Sequence, residues 1–371
     1  MLEGLKVLEL ANILAGPTVG QFCAELGADV IKVEQPGAGD PTRGWRLASE
    51  SPDENSADFS CTNWGKRSIA LDLKEDREIL MKLIKRADVL IVGYKPGDEV
   101  KFGIDYESVS AINARAIYLQ LTAYGTDDPR PGFDAIIQAE SGFTYLNGES
   151  AGDPVKMPVA LVDVLAAHQL KEGLLLALLR RERSGEGAYV ATSLLAAATA
   201  SLANQATNYL VADTIPQRMG SEHPNIVPYG TIFETGDGTS FVVAIGTERQ
   251  FRTFLGLTDL EELGDDDRFS TNQARVTHRD ALNERLRERL GQLSGRELAE
   301  KMRRAKVPFG FVNDMEAVFA QPQSRRQLFA GGRGLRSISI GGTIEGRGKL
   351  SPPPRLDEHR AEILAELEGE S

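Results

Sequence analysis

The acid Asp163 stands in PVALVDVLAAHQL, flanked by Leu161, Val162, Val164 and Leu165. A charge among apolar neighbours must find partners or shift its proton affinity, because an unpaired buried charge is costly. Helical periodicity begins just after it and runs through LAAHQLKEGLLLALLRR to Arg180, Arg181 and Arg183, before Ser184 and Gly185. An acid at the start and arginines at the end suit the helix macrodipole, so Asp163 reads as an N-cap. The same position keeps a carboxylate ionised, which is the state a nucleophile needs. The two readings do not exclude each other. A pair with His168 is not expected, since five helical residues rotate the side chains by ~140° off a common face.

A second acid, Asp134, follows a Pro-Gly turn in PGFDAIIQAESG and also reads as an N-cap. Basic residues punctuate several loops and strand ends: Arg43 and Arg46, Lys66 and Arg67, Lys74, Lys95 and Lys101. Singly each is a surface charge; as a set at one edge of a sheet they would suit a phosphate-rich ligand. The first turn reads ANILAGPTVG and lacks the GxGxxG glycines of a dinucleotide site. Glu34, at the end of the second strand, is therefore expected to be a solvated acid or the partner of a nearby base.

Composition narrows the classes. A net charge of -12 argues against nucleic acid and anionic membranes as main partners, so a polyanionic ligand would need a local basic pocket. No apolar run approaches the ~20 residues of a membrane span, and MLEGLKVLEL lacks the regions of a signal peptide. A cytoplasmic location is the expectation. Cys23 and Cys61 have no CxxC spacing, and the four histidines, His168, His223, His278 and His359, have no metal-ligand spacing, so no metal site is expected.

The elements that must position these residues follow an alternating pattern. Strands at 5–10, 28–34, 67–73, 88–93 and 115–125 enclose helices at 16–27 and 74–87, which predicts an α/β fold with an open, mainly parallel sheet. From about 225 the texture changes: a Gly-Asp-Gly turn between alternating runs marks a hairpin, and charged helical stretches follow. The expected organisation is a large domain from 1–200 and 325–371, a linker over 201–227 and a small α+β domain over 228–324.

In these residues the chain resembles the class III CoA-transferases, the CaiB/BaiF family. The resemblance is carried, in order along the chain, by LEGLKVLELANILAGPTVGQFCAELGADVIKVEQPGAGDPTRGW, NWGKRSIALDLK, GFDAIIQAESG, VDVLAAHQLKEGLLLALLRRERSGEGAYV, VPFGFVNDMEAV and PPPRLDEHRAEIL. It implies a Rossmann-like large domain, an interlocked homodimer, acyl-CoA and a small carboxylic acid as substrates, and no permanently bound cofactor.

By the same resemblance the catalytic aspartate is Asp163, which attacks an acyl-CoA thioester to give a mixed anhydride and then an aspartyl-CoA thioester. The CoA contacts it implies are Ile13, Leu14, Gln35, Leu71, Lys74, Gly93, Tyr94 and Lys101, with Phe133 and Asp134 of GFD completing the set. Gln35 stands where the family often has a base, and Gly93 where it commonly has Asn. The rival within the fold is a 2-methylacyl-CoA racemase, which uses a His-Asp pair; Phe133 occupies the base position here, and a phenyl ring cannot accept a proton. His223 or Glu222 would have to substitute. A non-catalytic CoA-binding protein is the rival from another class.

Overall fold

The structure, a computed structural model, describes residues 1–330, 336–340 and 350–369. The chain divides into two compact units. One comprises Met1–Thr144, Lys156–Thr214 and Gln323–Ser371, the other Tyr145–Val155 and Ile215–Pro322.

In the first unit, short apolar runs become strands and the amphipathic stretches between them become helices. In chain order these are β1 (Lys6–Leu10), α1 (Ala15–Glu25), β2 (Asp29–Glu34), β3 (Lys66–Ala70), α2 (Arg77–Arg86), β4 (Val89–Val92), β5 (Ile117–Thr122), α3 (Asp134–Glu140), α4 (Leu161–Ser184) and β6 (Ala188–Ser193). The strands form one sheet in the order β3-β2-β1-β4-β5-β6, and every pairing is parallel. This is a mixed α/β, Rossmann-like architecture. The chain order reverses direction between β1 and β4, and in open sheets of this kind ligands bind beyond the carboxyl ends of the strands at such a switch point.

Alternating strand residues feed two cores. Val7, Val30, Val89, Ile91, Ile117 and Leu119 pack on one face against α1 and α4, through Val19, Leu170 and Leu174. Leu8, Leu10, Val33, Leu90, Val92 and Tyr118 pack on the other against α2 and against Ile363 and Leu367 of the C-terminal helix Arg360–Glu368. Burial on both faces explains why β4 reads as an unbroken apolar run, VLIV.

Two glycines of α1 have steric reasons. A Cβ on Gly16 would lie 2.4 Å from the Ala11 Cβ, and one on Gly20 would lie 1.8 Å from Oε2 of Glu9. The helix therefore seats directly on β1 and on the charged group that β1 carries beneath it.

The second unit has the antiparallel strands Tyr229–Glu234, Ser240–Ala244 and Phe309–Phe311 with a core of Phe233, Phe241, Phe251, Phe254 and Leu286. The stretch 201–227 is not irregular throughout, being helical over Ala203–Ala212.

Candidate active site

A cleft of about 270 Å³ opens at the carboxyl ends of the strands. Its walls are Ala11–Ala15 after β1, Gly93–Pro96 after β4, Leu121–Ala123 at the end of β5, and Arg130–Phe133 before α3, with Asp163 of α4 among them. That is the topological switch point of the sheet. The charged side chains of this lining are Lys95, Arg130 and Asp163, and no histidine belongs to it among the described residues.

Asp163 is 8% exposed. It is not the N-cap its sequence position suggests: the cap residue is Ala160, and Asp163 is the third residue of α4, within its first turn. The missing cap comes from elsewhere. Asp134 accepts the backbone N–H of Val162 at 2.8 Å with Oδ1, and the Gln138 amide at 2.7 Å with Oδ2. One of the donors that every helix start leaves open is thus closed by a neighbouring helix. Asp134 likewise is not an N-cap of its own helix; Phe133 holds that position and Asp134 is the first residue of α3. Gln138 fixes the approach to α4 further, since its Oε1 accepts the Met157 N–H at 2.9 Å.

The first turn of α4 does not hold Asp163 ionised, as the helix dipole alone would. Burial raises its pKa to about 7, and the nearby Asp134 charge adds to the rise. Loss of hydration outweighs the dipole because the dipole is worth at most ~2 kcal/mol, whereas a rise of this size corresponds to about 4 kcal/mol.

Behind the opposite wall lies a buried ion network that joins the sheet to the β1–α1 turn. Lys32 Nζ is 2.9 Å from Glu9 Oε1 and 2.9 Å from Asp40 Oδ2, and Lys66 Nζ is 2.7 Å from Glu9 Oε2. All four side chains have zero exposure. Lys32 also donates to the Ala11 carbonyl at 2.8 Å, and Lys66 to the Pro17 carbonyl and to Asn63, each at 2.9 Å. Two cations balance two anions, as a solvent-free cluster requires. Burial pulls Lys66 down to about 8 against the opposing pull of Glu9, whereas Lys32, faced by both carboxylates, is held above the usual lysine range despite its burial. Asp40 is kept below the usual carboxylate range because Lys32 and Thr42 outweigh its burial.

Asp40 reaches the cleft wall through Ile13. The Ile13 N–H lies 3.1 Å from Oδ2 and 3.3 Å from Oδ1 of Asp40, and Ile13 has φ 71°. A β-branched residue in the left-handed region is a backbone outlier costing ~1–3 kcal/mol. The conformation that glycine supplies in a dinucleotide turn is here imposed on isoleucine. Leu14 then starts α1 with no side-chain cap and no acid in the first turn.

Of the site residues named from the sequence, Ile13, Leu14, Gly93, Tyr94, Phe133 and Asp163 line the cleft together. Gln35 and Lys74 are exposed on loops that follow β2 and β3, and Lys101 is exposed on the short helix Asp98–Phe102 after β4, all outside this lining. Leu71 is buried in the core, and Asp134 is turned to the α4 start.

The expected collection of basic residues along one edge does not form. Lys66 is inside the ion network, Arg43 is bound by Glu34 at 2.7 Å, and Arg67 pairs at the amino end of the sheet with Asp29, Glu362 and Glu366. Arg46 donates to the Ser51 and Glu54 carbonyls. Lys95 alone of that set lines the cleft. Glu34 is the partner of a base rather than a solvated acid.

Sequence reasoning passed over Arg130, which lines the cleft and lies 3.9 Å over the Tyr124 ring, and also the network of Glu9, Lys32 and Asp40. A signal for the network was present: KVLEL and DVIKVE each place a charge, Glu9 and Lys32, among the interior residues of a strand whose other interior residues are apolar. His168 is exposed, and Glu222 is tied to Arg279 at 2.7 Å and to Asn283 at 2.7 Å.

Comparison with known proteins bears on this geometry. The chain matches the model of CoA-transferase family III over residues 2–330. It is 38% identical to a succinate–glutarate CoA-transferase of Agrobacterium fabrum, with 99% of this chain and 96% of that protein covered. It is 34% identical to the human succinyl-CoA:glutarate CoA-transferase, over 99% of this chain and 86% of that one. Among solved structures, a CaiB/BaiF family protein from Brucella suis superposes with a TM-score of 0.87 at 40% identity, over 99% of both chains.

Proposed function

Since the chain belongs to CoA-transferase family III and is a CoA-transferase, we propose that it moves CoA from succinyl-CoA to a small dicarboxylic acid such as glutarate, with Asp163 as the covalent nucleophile. The observation that carries the reading is a single carboxylate, 8% exposed, in a cleft at the switch point of the sheet. The substrate pair rests on the names of the two glutarate-linked relatives.

The ionised Asp163 adds one oxygen to the thioester carbonyl, and the C–S bond breaks to release CoA thiolate and leave a mixed anhydride. The thiolate then attacks the Asp163 carboxyl carbon, the donor acid departs with the bridging oxygen, and an aspartyl-CoA thioester remains. The acceptor carboxylate reverses both steps. It first displaces CoA thiolate from Asp163, and the thiolate then takes the acceptor acyl group, freeing Asp163. No resident cofactor is required, since CoA supplies the thiolate and Asp163 the oxygen.

A carboxylate is a weak nucleophile, so rate must come from positioning and from a dry site. Burial supplies the dry site, stripping water that would hydrolyse the anhydride, and it also raises the basicity of the attacking oxygen. The uncapped first turn of α1, whose Leu14 and Ala15 line the cleft, offers backbone N–H groups to a developing oxyanion. Lys95 supplies positive charge for the CoA phosphates in an otherwise acidic protein, and Arg130, exposed and paired with Asp128 at 2.9 Å, adds to it. Phe133, 59% exposed on the cleft, leaves the position of a racemase base without a titratable group.

The quaternary reading is an interlocked homodimer. Leu175, Leu176 and Leu179 of α4 are 46%, 68% and 51% exposed, and Tyr209, Leu210 and Val211 are 51%, 75% and 84% exposed. Apolar side chains grouped in this way on two helices suit burial by a partner. Free thiols at Cys23 and Cys61 suit a reducing compartment, the cytoplasm.

Incubation with succinyl-CoA and glutarate tests the reading. Glutaryl-CoA and free succinate should form in equal amounts. Failure to transfer CoA to any acid, together with exchange of the α-proton of a 2-methylacyl-CoA, would replace transfer by racemisation.

A further inference from the structure

We infer that Asp40 is a positioning residue for the acyl-transfer step: as the end of the buried ion network it clamps the β1–α1 turn, and so sets the cleft wall against which the thioester is presented to Asp163. The inference rests on the reaction proposed above and adds a device to it.

Three of the network's backbone partners lie around one turn: the Ala11 carbonyl, taken by Lys32, the Ile13 N–H, taken by Asp40, and the Pro17 carbonyl, taken by Lys66. These three points bracket the turn from the end of β1 into the first turn of α1. Ala11, Ile13, Leu14 and Ala15 of that stretch line the cleft, and so does Pro41, the residue next to Asp40. These three fixings therefore fall on a segment that forms one wall of the cleft.

The turn also needs holding. Ile13 has φ 71°, a conformation a β-branched side chain leaves readily unless its surroundings over-determine it. Asp40 gives the Ile13 N–H a charged acceptor and is itself immobilised: Oδ2 is bound by Lys32, and Oδ1 accepts the Thr42 hydroxyl at 2.7 Å and the Thr42 N–H at 3.0 Å. Its own N–H is held by Glu34 Oε2 at 2.9 Å. An acceptor so fixed transmits the geometry of the sheet to the turn. For overall stability alone, apolar residues of similar volume would serve as well as a buried ion cluster. Its value lies in direction.

Two variants separate positioning from folding. Asp40→Asn keeps an acceptor oxygen and loses the charge that Lys32 and the Ile13 N–H share. Ile13→Pro leaves all four buried charges paired but removes the N–H and bars a positive φ. For each variant with native circular dichroism, kcat per trapped Asp163 site should fall about tenfold or more while KM for acyl-CoA changes less, because misorientation penalises the chemical step. Asp40→Asn combined with Ile13→Gly should recover part of the lost kcat, since glycine takes the left-handed conformation unaided.

Hydrogen exchange gives a readout that does not depend on the reaction. Peptides covering residues 11–17 should exchange faster in Asp40→Asn than in wild type. If a folded variant of either kind keeps the wild-type kcat, or Ile13→Gly restores nothing, or exchange at 11–17 is unchanged, the clamp is wrong. If wild type forms no adduct at Asp163 with any acyl-CoA, it is the reaction that is wrong, and the exchange data alone then judge the clamp.

Discussion

The Asp134 carboxylate accepts the backbone N–H of Val162 at 2.8 Å, so the helix that presents Asp163 is capped by a side chain from a different helix. One acid holds the start of α4, and its charge raises the proton affinity of the other. Asp134→Ala should therefore lower stability by ~1–2 kcal/mol, the cost of a lost cap with its buried donor left unpaired. Asp134→Asn keeps an oxygen for Val162 and should lose less. Urea unfolding of the two variants measures the difference.

The same pair sets the pH dependence of the first chemical step. Asp163 is protonated below about pH 7, and only the ionised form attacks, so kcat/KM for acyl-CoA should rise with pH through that region. Asp134→Asn removes the like charge and should move this limb to lower pH. A limb that stays in place, or moves upward, would mean that Asp134 does not act on Asp163.

A linked effect appears in stability. The buried Asp163 binds its proton up to about pH 7, whereas in the unfolded chain it releases it near the ordinary value of 3.8. Between these values the folded state carries the extra proton, so the contribution of this group to stability falls as pH rises and levels off above 7. Asp163→Asn should abolish that slope. Relative to wild type it should gain stability from pH 4 to pH 7, by at most about 4 kcal/mol. Chemical denaturation at a series of pH values reads the difference.

Charge at the mouth of the cleft should act on binding rather than on chemistry. Arg130→Ala and Lys95→Ala should each raise KM for acyl-CoA about tenfold or less, with kcat little changed and the effect shrinking at high salt. Initial-rate kinetics at two ionic strengths check both points.

The exposed leucines of α4 give a prediction about assembly. Leu176→Glu with Leu179→Glu places charge on the proposed contact surface and should convert a dimer to monomers, read by light scattering on the eluting protein. A wild-type chain already monomeric at micromolar concentration would contradict the dimer.

Much of the fold was legible because it follows from local pattern. Alternating short apolar runs and amphipathic stretches placed β1 to β5 and both early helices within a few residues, and the parallel sheet follows from helical crossovers. The site was legible in part. Residues that follow a strand directly, such as Ile13, Leu14, Gly93 and Tyr94, are carried to the cleft by the sheet itself.

What escaped was pairing at long range. Lys66 reads as a loop cation, yet it lies at the first residue of β3 facing Glu9, fifty-seven positions earlier in the chain, and no local pattern reports that partner. Asp163 reads as a cap because nothing near it in sequence says that Asp134 already fills that role. Its raised proton affinity likewise depends on burial and on Asp134, which only the assembled fold brings to it.

If Asp163 is the nucleophile, one of its oxygens takes part covalently and is exchanged in turnover. Turnover of succinyl-CoA with glutarate labelled with oxygen-18 in its carboxylates, followed by digestion and mass measurement of the peptide that contains Asp163, tests it directly. Label from the acceptor should appear in Asp163 and nowhere else in the chain, because the bridging oxygen of the second anhydride stays on the enzyme. Sustained glutaryl-CoA formation with no label in that peptide would contradict it.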